Sequence, residues 1–333
     1  MLTIEPNISV SPTKLTIFAK VLDESGKPFR RPKSNHNIPP AFRGTNGRVS
    51  RRAASRLSQR IDWLAFLTRS NQVALDRRAR TTTHSLSFLT LTLPADQEHP
   101  DKVIKNQCLN HFLTVLRQKF GVKHYIWKAE LQKNDNIHFH LLIDRYIHYT
   151  RIRTQWNNIV GKLGYVRRYQ ERMQILTFAD YCERRKVSTP SQLAQARMAY
   201  NSGLRTDWTN PNSVDVRSVR GINNIRAYMR KYLTKSLDKH NTSGEATARE
   251  NAFGGSIWHC SRSLSRCKGY VTLYCNKASE FVAAVANSAG VWIGEFDWCT
   301  VFSFNPAELP KRFYDQYIAM LSAMTSPDII GSS

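Results

Sequence analysis

No stretch of the 333-residue chain approaches the roughly twenty consecutive apolar residues that a membrane-crossing helix needs. Met1-Leu-Thr-Ile-Glu-Pro6 has neither a basic start nor a long apolar run, so no secretory signal is expected. The six cysteines, Cys108, Cys182, Cys260, Cys267, Cys275 and Cys299, contain no Cys-x-x-Cys pair. That argues against a zinc ribbon and favours scattered reduced thiols. These absences together predict a protein of a reducing cytoplasm. No internal repeat is visible. Acidic residues are also scarce: 25 Asp and Glu stand against 49 Lys and Arg, giving a formal net charge of +24 and a pI near 10.1. The basic residues run along the whole chain, which favours a polyanionic partner over a small acidic substrate. An aromatic share of 11% supplies rings on which bases can stack.

Hydrophobic periodicity divides the chain into three parts. Residues 1–80 read as a basic N-terminal extension, with one strand at 14–22, a Pro-, Gly- and Arg-rich arm at 27–50 and a helix at 50–67. The arginines of that helix face either phosphates or solvent. Residues 81–240 carry the densest pattern. Strands are expected at 87–93, 125–132, 137–143 and 214–219, with helices at 101–120, 154–163 and 223–238. The helix at 101–120 presents Val103, Leu109, Phe112, Leu113 and Leu116 as its apolar face, and Gly164 caps the helix at 154–163. Residues 170–210 are helical and polar, with little to anchor them. Residues 241–333 partly continue the core, with short strands near 270–274 and 291–296 and helices at 278–287 and 311–323. The fold class expected is α+β: a central antiparallel sheet with helices packed on it, plus N- and C-terminal extensions.

The most specific local feature is His138-Phe-His140 inside the apolar run Ile137–Ile143. Side chains on a strand repeat every two residues, so both imidazoles point to one face. Glu130 and Gln132 share a face of the preceding strand. If Asn134-Asp135-Asn136 forms the loop, Gln132 falls opposite His138 and Glu130 opposite His140, with Cβ atoms about 4.5–5.5 Å apart. A two-residue loop would set Glu130 opposite Phe139 and disperse the cluster. Glu130, His138 and His140 are therefore candidate ligands for a divalent ion, Mn²⁺ or Mg²⁺, with coordination positions left open for a phosphate oxygen. Two structural histidines in a sheet are the plain alternative.

The second feature is Tyr228-Met-Arg-Lys-Tyr-Leu-Thr-Lys235. At about 100° per residue, Tyr228, Lys231, Tyr232 and Lys235 share one helix face. A phenol attacks poorly at neutral pH, since its pKa is near 10. A nearby ammonium and a cation-bound phosphate would ease loss of its proton. Tyr228 and Tyr232 are thus candidate nucleophiles toward a DNA phosphodiester, with Lys231 and Lys235 beside them. A purely packed tyrosine pair is the competing reading, and two lysines on the same face weaken it.

With these segments in order, the chain resembles the HUH-superfamily replication initiators of single-stranded DNA phages and rolling-circle plasmids, in the two-tyrosine form typified by phage gene A proteins. Phe88-Leu-Thr-Leu-Thr92 is similar to their first motif, His138-Phe-His140 to the second and Tyr228–Lys235 to the third. The likeness covers about 85–240 and extends to Ile257-Trp-His-Cys-Ser-Arg-Ser-Leu264. The resemblance implies nicking of single-stranded origin DNA, a 5′-phosphotyrosine intermediate, religation and a divalent ion. It also implies an antiparallel sheet carrying His138, His140 and Glu130. No Gly-x-x-x-x-Gly-Lys-Ser/Thr run occurs, so strand separation would fall to a partner such as a host helicase. A relaxase or transposase of the same superfamily would share this chemistry. A noncatalytic nucleic-acid-binding protein on the same fold would share only the charge.

Overall fold

The structure, a computed structural model, describes residues 3–27, 51–76, 86–219 and 253–325. They fall into two units. The first comprises residues 3–27, 59–67 and 262–325 of those described; the second comprises the remainder, up to residue 261. The basic arm expected at 27–50 lies almost wholly outside the described residues, and the helix expected at 223–238 lies entirely outside them.

The chain begins with a two-residue hairpin, β1 (Thr3–Ser11) and β2 (Lys14–Leu22), in which Ser11 pairs with Lys14. Only the second strand was expected, because Pro6 and Asn7 interrupt the pattern of the first. Helix α1 spans Arg51–Asp76. In the first unit its residues Ile61 to Leu67 are all buried, and Arg60 donates to the carbonyls of Leu264 (2.9 Å) and Cys267 (2.6 Å). This stretch is therefore a packing helix, with its arginine spent on backbone acceptors rather than left for phosphates.

The second unit is built on five antiparallel strands. In chain order these are β3 (Leu86–Leu91), β4 (Tyr125–Leu131), β5 (Ile137–Ile143), β6 (Val214–Val219) and β7 (Trp258–Cys260). Their spatial order is β6-β3-β5-β4-β7, so β5 lies at the centre. Alternate residues of β5 explain its position: Ile137, Phe139, Leu141 and Ile143 all enter the core on one face.

That face is covered by two helical segments. The first opens as α2 (Asp101–Val103), widens into a π-helical stretch at Ile104–Leu109 and continues as α3 (Asn110–Phe120). Ile104, Cys108, Phe112, Leu116 and Phe120 are buried at intervals of four, while Val103 is only half-buried. The wider turn moves Val103 off the apolar face on which regular helical spacing had put it. Gly121, at φ 63°, closes α3 in the left-handed conformation. The second is α4 (Tyr149–Gly161), whose Trp156 lies edge-on to Phe112 and Phe139 and donates to the Thr92 carbonyl at 2.7 Å.

Between α4 and β6 the chain forms α5 (Tyr165–Gln174), α6 (Phe178–Arg184) and α7 (Pro190–Arg205). The polar composition concealed an anchor. Met173, Leu176, Tyr181, Ala196 and Trp208 make a small core of their own, and Trp208 lies against the rings of Tyr169, Tyr181 and Tyr200. Thr177 and Thr189 close capping boxes on α6 and α7.

The first unit is completed from the C-terminal side by α8 (Arg262–Arg266), β8 (Tyr270–Leu273), α9 (Asn276–Ala286), β9 (Trp292–Phe296), β10 (Cys299–Ser303) and α10 (Lys311–Ala323). Its antiparallel sheet has the order β8-β1-β2-β10-β9. Ile8, Val10, Leu15 and Phe302 are buried, and Tyr317 of α10 bonds the Pro12 carbonyl at 2.8 Å. The α+β class expected from periodicity is thus observed, with two antiparallel sheets and helices. Among the described residues, which include all six cysteines, no disulfide forms. No helix among them is long and apolar enough to cross a membrane.

Candidate metal centre

The hairpin β4–β5 carries the site. Its turn is Lys133-Asn134-Asp135, closed by Gln132 N–H to the Asn136 carbonyl (2.8 Å) and Asp135 N–H to the Gln132 carbonyl (3.1 Å). Asp135 takes φ 61°, a left-handed position that aspartate tolerates. Asn136, just past the turn, is buried and locked: its side chain accepts from Gln97 N–H (2.8 Å) and donates to the Ala95 carbonyl (3.0 Å). Gln97 in turn accepts from Ile137 N–H at 2.7 Å.

This turn begins one residue earlier than Asn134-Asp135-Asn136, and the pairing shifts by two. Glu130 lies opposite His138, Lys128 opposite His140, and Gln132 leaves the ladder for the turn. The expected pairing of Glu130 with His140 and Gln132 with His138 is therefore corrected. The cluster survives because an even shift preserves which face each side chain occupies.

Glu130, His138 and His140 converge as their spacing suggested. Glu130 Oε1 stands 2.6 Å from His140 Nε2 and 3.5 Å from His138 Nε2, and the imidazole centroids are 4.5 Å apart. One ligand atom from each of the three lies within 4.8 Å of the others. Among the described residues this is the one cluster of histidine, cysteine and carboxylate groups with such spacing.

Neighbouring strands orient the ligands. On β3, Thr90 is paired with His140, and its hydroxyl is 3.2 Å from His140 Nδ1, which leaves Nε2 turned to the carboxylate. The Phe88 ring stacks on His140 at 5.3 Å. On β4, the buried Lys128 places Nζ 3.6 Å from Glu130 Oε2. On the far side of β4, Trp258 of β7 pairs with Lys128, and Ser261 N–H bonds the Tyr125 carbonyl at 2.9 Å. The Trp258 to Ser261 segment thus joins the same sheet as the histidines, next to the strand of the carboxylate.

The electrostatics leave the ligands in their binding forms. Burial works to raise the Glu130 carboxyl, but its contacts with His138 and His140 and the Lys128 ammonium outweigh burial and hold it well below the usual carboxylate range. Burial pushes His140 below the ordinary imidazole value, against the opposing pull of Glu130. A neutral imidazole beside an ionised carboxylate is what a divalent cation requires. Both ring nitrogens of His138 are buried without a hydrogen-bond partner of good geometry. Orphaned nitrogens of this kind, aimed at a carboxylate oxygen, fit a cation between them.

Tyr228, Lys231, Tyr232 and Lys235 lie outside the described residues. Lys128, Thr90 and Phe88 were not singled out as site residues from sequence. The signal for Lys128 was its spacing of two from Glu130, which puts both on one face. For Thr90 and Phe88 it was their place in an apolar strand, where only pairing shows which neighbour they meet.

Residues 86–237 match a family model whose description is that of an ORF2-type replication-associated protein. No curated protein and no solved structure matches the chain.

Proposed function

We propose that this chain initiates rolling-circle replication by nicking and rejoining single-stranded origin DNA. The observation that carries the reading is the Glu130, His138 and His140 cluster on the central strands of a region similar to replication-associated proteins. That similarity supports a replication-initiator role; the chemistry that follows is our reading.

Glu130, His138 and His140 would hold a divalent ion, Mg²⁺ or Mn²⁺, which supplies a Lewis acid for the scissile phosphate. His140 is fixed in one tautomer by Thr90, so its Nε2 lone pair is committed to the ion. Tyr228 or Tyr232 loses its phenolic proton, and its oxygen attacks phosphorus. The bond from phosphorus to the 3′ oxygen breaks, and that oxygen leaves as a 3′-hydroxyl on taking up a proton. The 5′-phosphate stays on the tyrosine as an ester, so bond energy is retained and rejoining needs no nucleotide cofactor. Lys231 and Lys235, one turn from each other, would offset charge developing on the phosphate. The second tyrosine can attack next and pass the strand along. The +24 net charge suits single-stranded DNA as the partner, and a host helicase would open the duplex. This activity belongs in the cytoplasm of the host cell.

The test is incubation of the purified chain with end-labelled single-stranded origin oligonucleotides, with Mn²⁺ or with a chelator. A covalent protein–DNA band on a denaturing gel in Mn²⁺ alone supports the reading. Salt-sensitive binding without any adduct would instead favour a noncatalytic DNA-binding protein. A relaxase or transposase would give the adduct but choose different DNA.

A further inference from the structure

Lys128 is the charged group of the cluster that neither metal ligation nor strand transfer uses. It is 2% exposed, paired across the sheet with His140 on one side and Trp258 on the other. A buried ammonium is costly to maintain, and a methionine would fill similar space. Its position has two consequences. Its Nζ lies 3.6 Å from Glu130 Oε2, so that oxygen is drawn toward the lysine, while Oε1 faces His140 at 2.6 Å and His138 at 3.5 Å. The carboxylate therefore presents one oxygen, not two, to the space between the imidazoles. The second consequence is charge. Two neutral imidazoles and one carboxylate would give a site of −1; the ammonium brings it to zero, so a bound divalent ion leaves a net charge of +2 rather than +1. Positive charge at this distance opposes a cation and attracts a phosphodiester.

We propose that Lys128 is a positioning residue that sets the charge of the metal centre, holding Glu130 to single-oxygen ligation and trading cation affinity for affinity toward the DNA phosphate. This rests on the metal-site part of the function proposed above, not on the tyrosine chemistry. A lysine serving only to fill the sheet would not move the two affinities in opposite directions.

The experiment compares the full chain with Lys128→Met, Lys128→Gln and Lys128→Arg, with folding checked by circular dichroism. Mn²⁺ binding is measured by titration calorimetry without DNA, and binding of a single-stranded oligonucleotide is measured separately in saturating Mn²⁺. The expected result is Mn²⁺ bound about ten-fold more tightly by the Met and Gln variants, with about ten-fold weaker oligonucleotide binding, from the loss of one nearby unit charge. Lys128→Arg should keep both affinities near those of the unaltered chain. Unchanged or weaker Mn²⁺ binding in folded Met or Gln variants would overturn the proposal. So would failure of both neutral variants to fold, which would make the lysine structural. Because the Mn²⁺ titration contains no DNA, the expected metal pattern in a chain that forms no covalent adduct would refute nicking and leave this inference standing.

Discussion

Glu130 faces His138 directly across the β4–β5 ladder, yet its shorter contact runs diagonally to His140, 2.6 Å against 3.5 Å. Diagonal neighbours in an antiparallel pair are within reach of long side chains. The carboxylate thus spans both imidazoles from one backbone position, and the site depends on the rotamers of three residues rather than on one cross-strand pair. What holds those rotamers is the basis of the predictions that follow.

The hydroxyl of Thr90 is the polar contact at His140 Nδ1. Thr90→Val keeps the shape and removes that contact. Metal affinity should fall about 10- to 100-fold, as for other losses of an outer partner. Thr90→Ser should retain most of it. Calorimetric titration with Mn²⁺ checks this; equal affinity in the Val variant would show that the hydroxyl does not orient the ring.

His140→Ala should abolish cleavage while leaving DNA binding within a few-fold. Most affinity for single strands comes from phosphate contacts spread over a basic surface. Gel-shift titrations beside the nicking assay separate the two. Cleavage that persists in this variant would remove His140 from the site.

The pH dependence follows from His140, whose folded value is depressed by burial. The unfolded chain, with an imidazole near 6.5, takes up its proton first as pH falls. The ion-free fold therefore loses stability from about that pH downward, until the folded value is passed and both states are protonated. Above the unfolded value this residue contributes no slope. Glu130 acts at a different point: its depressed value stabilises the fold above the ordinary carboxylate range and is lost only in stronger acid. Urea melts between pH 7.5 and 5 should show a falling midpoint whose slope is reduced in His140→Gln. A slope unaffected by that change would contradict the assignment.

Gly203 is the residue that lets the helical insert close. A Cβ there would meet the Trp208 ring at 2.1 Å. Gly203→Ala should therefore displace Trp208 from Tyr169, Tyr181 and Tyr200 at about 1–3 kcal/mol, the usual cost of overpacking. The change should appear in tryptophan fluorescence and near-ultraviolet dichroism. Unaltered spectra would mean that the ring can move aside without loss.

The readable parts of the molecule were those in which one face is strongly apolar. Strand β5 matched its expected limits because four aliphatic and aromatic residues alternate with the two histidines. The carboxylate partner was readable because a strand keeps parity, so Glu130 reached the histidine face even though the turn was placed one residue late. The turn itself was not readable from composition. Asn134, Asp135 and Asn136 all suit loops, and only the bonds of Asn136 to Ala95 and Gln97 select one register. Lys128 was passed over because a lysine in a strand reads as solvent-facing, whereas here it is buried beside a carboxylate. The π-helical stretch at Ile104–Leu109 leaves no compositional mark. Strands β1, β7 and β10 were missed for related reasons: Pro6 breaks the first, and the other two are three and five residues long.

Covalent capture of a DNA 5′-phosphate by a tyrosine of the Tyr228–Lys235 segment is the central claim. The most direct measurement is peptide mapping by mass spectrometry of the adduct formed with single-stranded origin DNA in Mn²⁺, repeated on Tyr228→Phe, Tyr232→Phe and the double variant. The predicted result is a nucleotide-modified peptide bearing Tyr228 or Tyr232, reduced turnover in each single variant and no adduct in the double one. An adduct that persists undiminished in the double variant, or that maps to another residue, would contradict it.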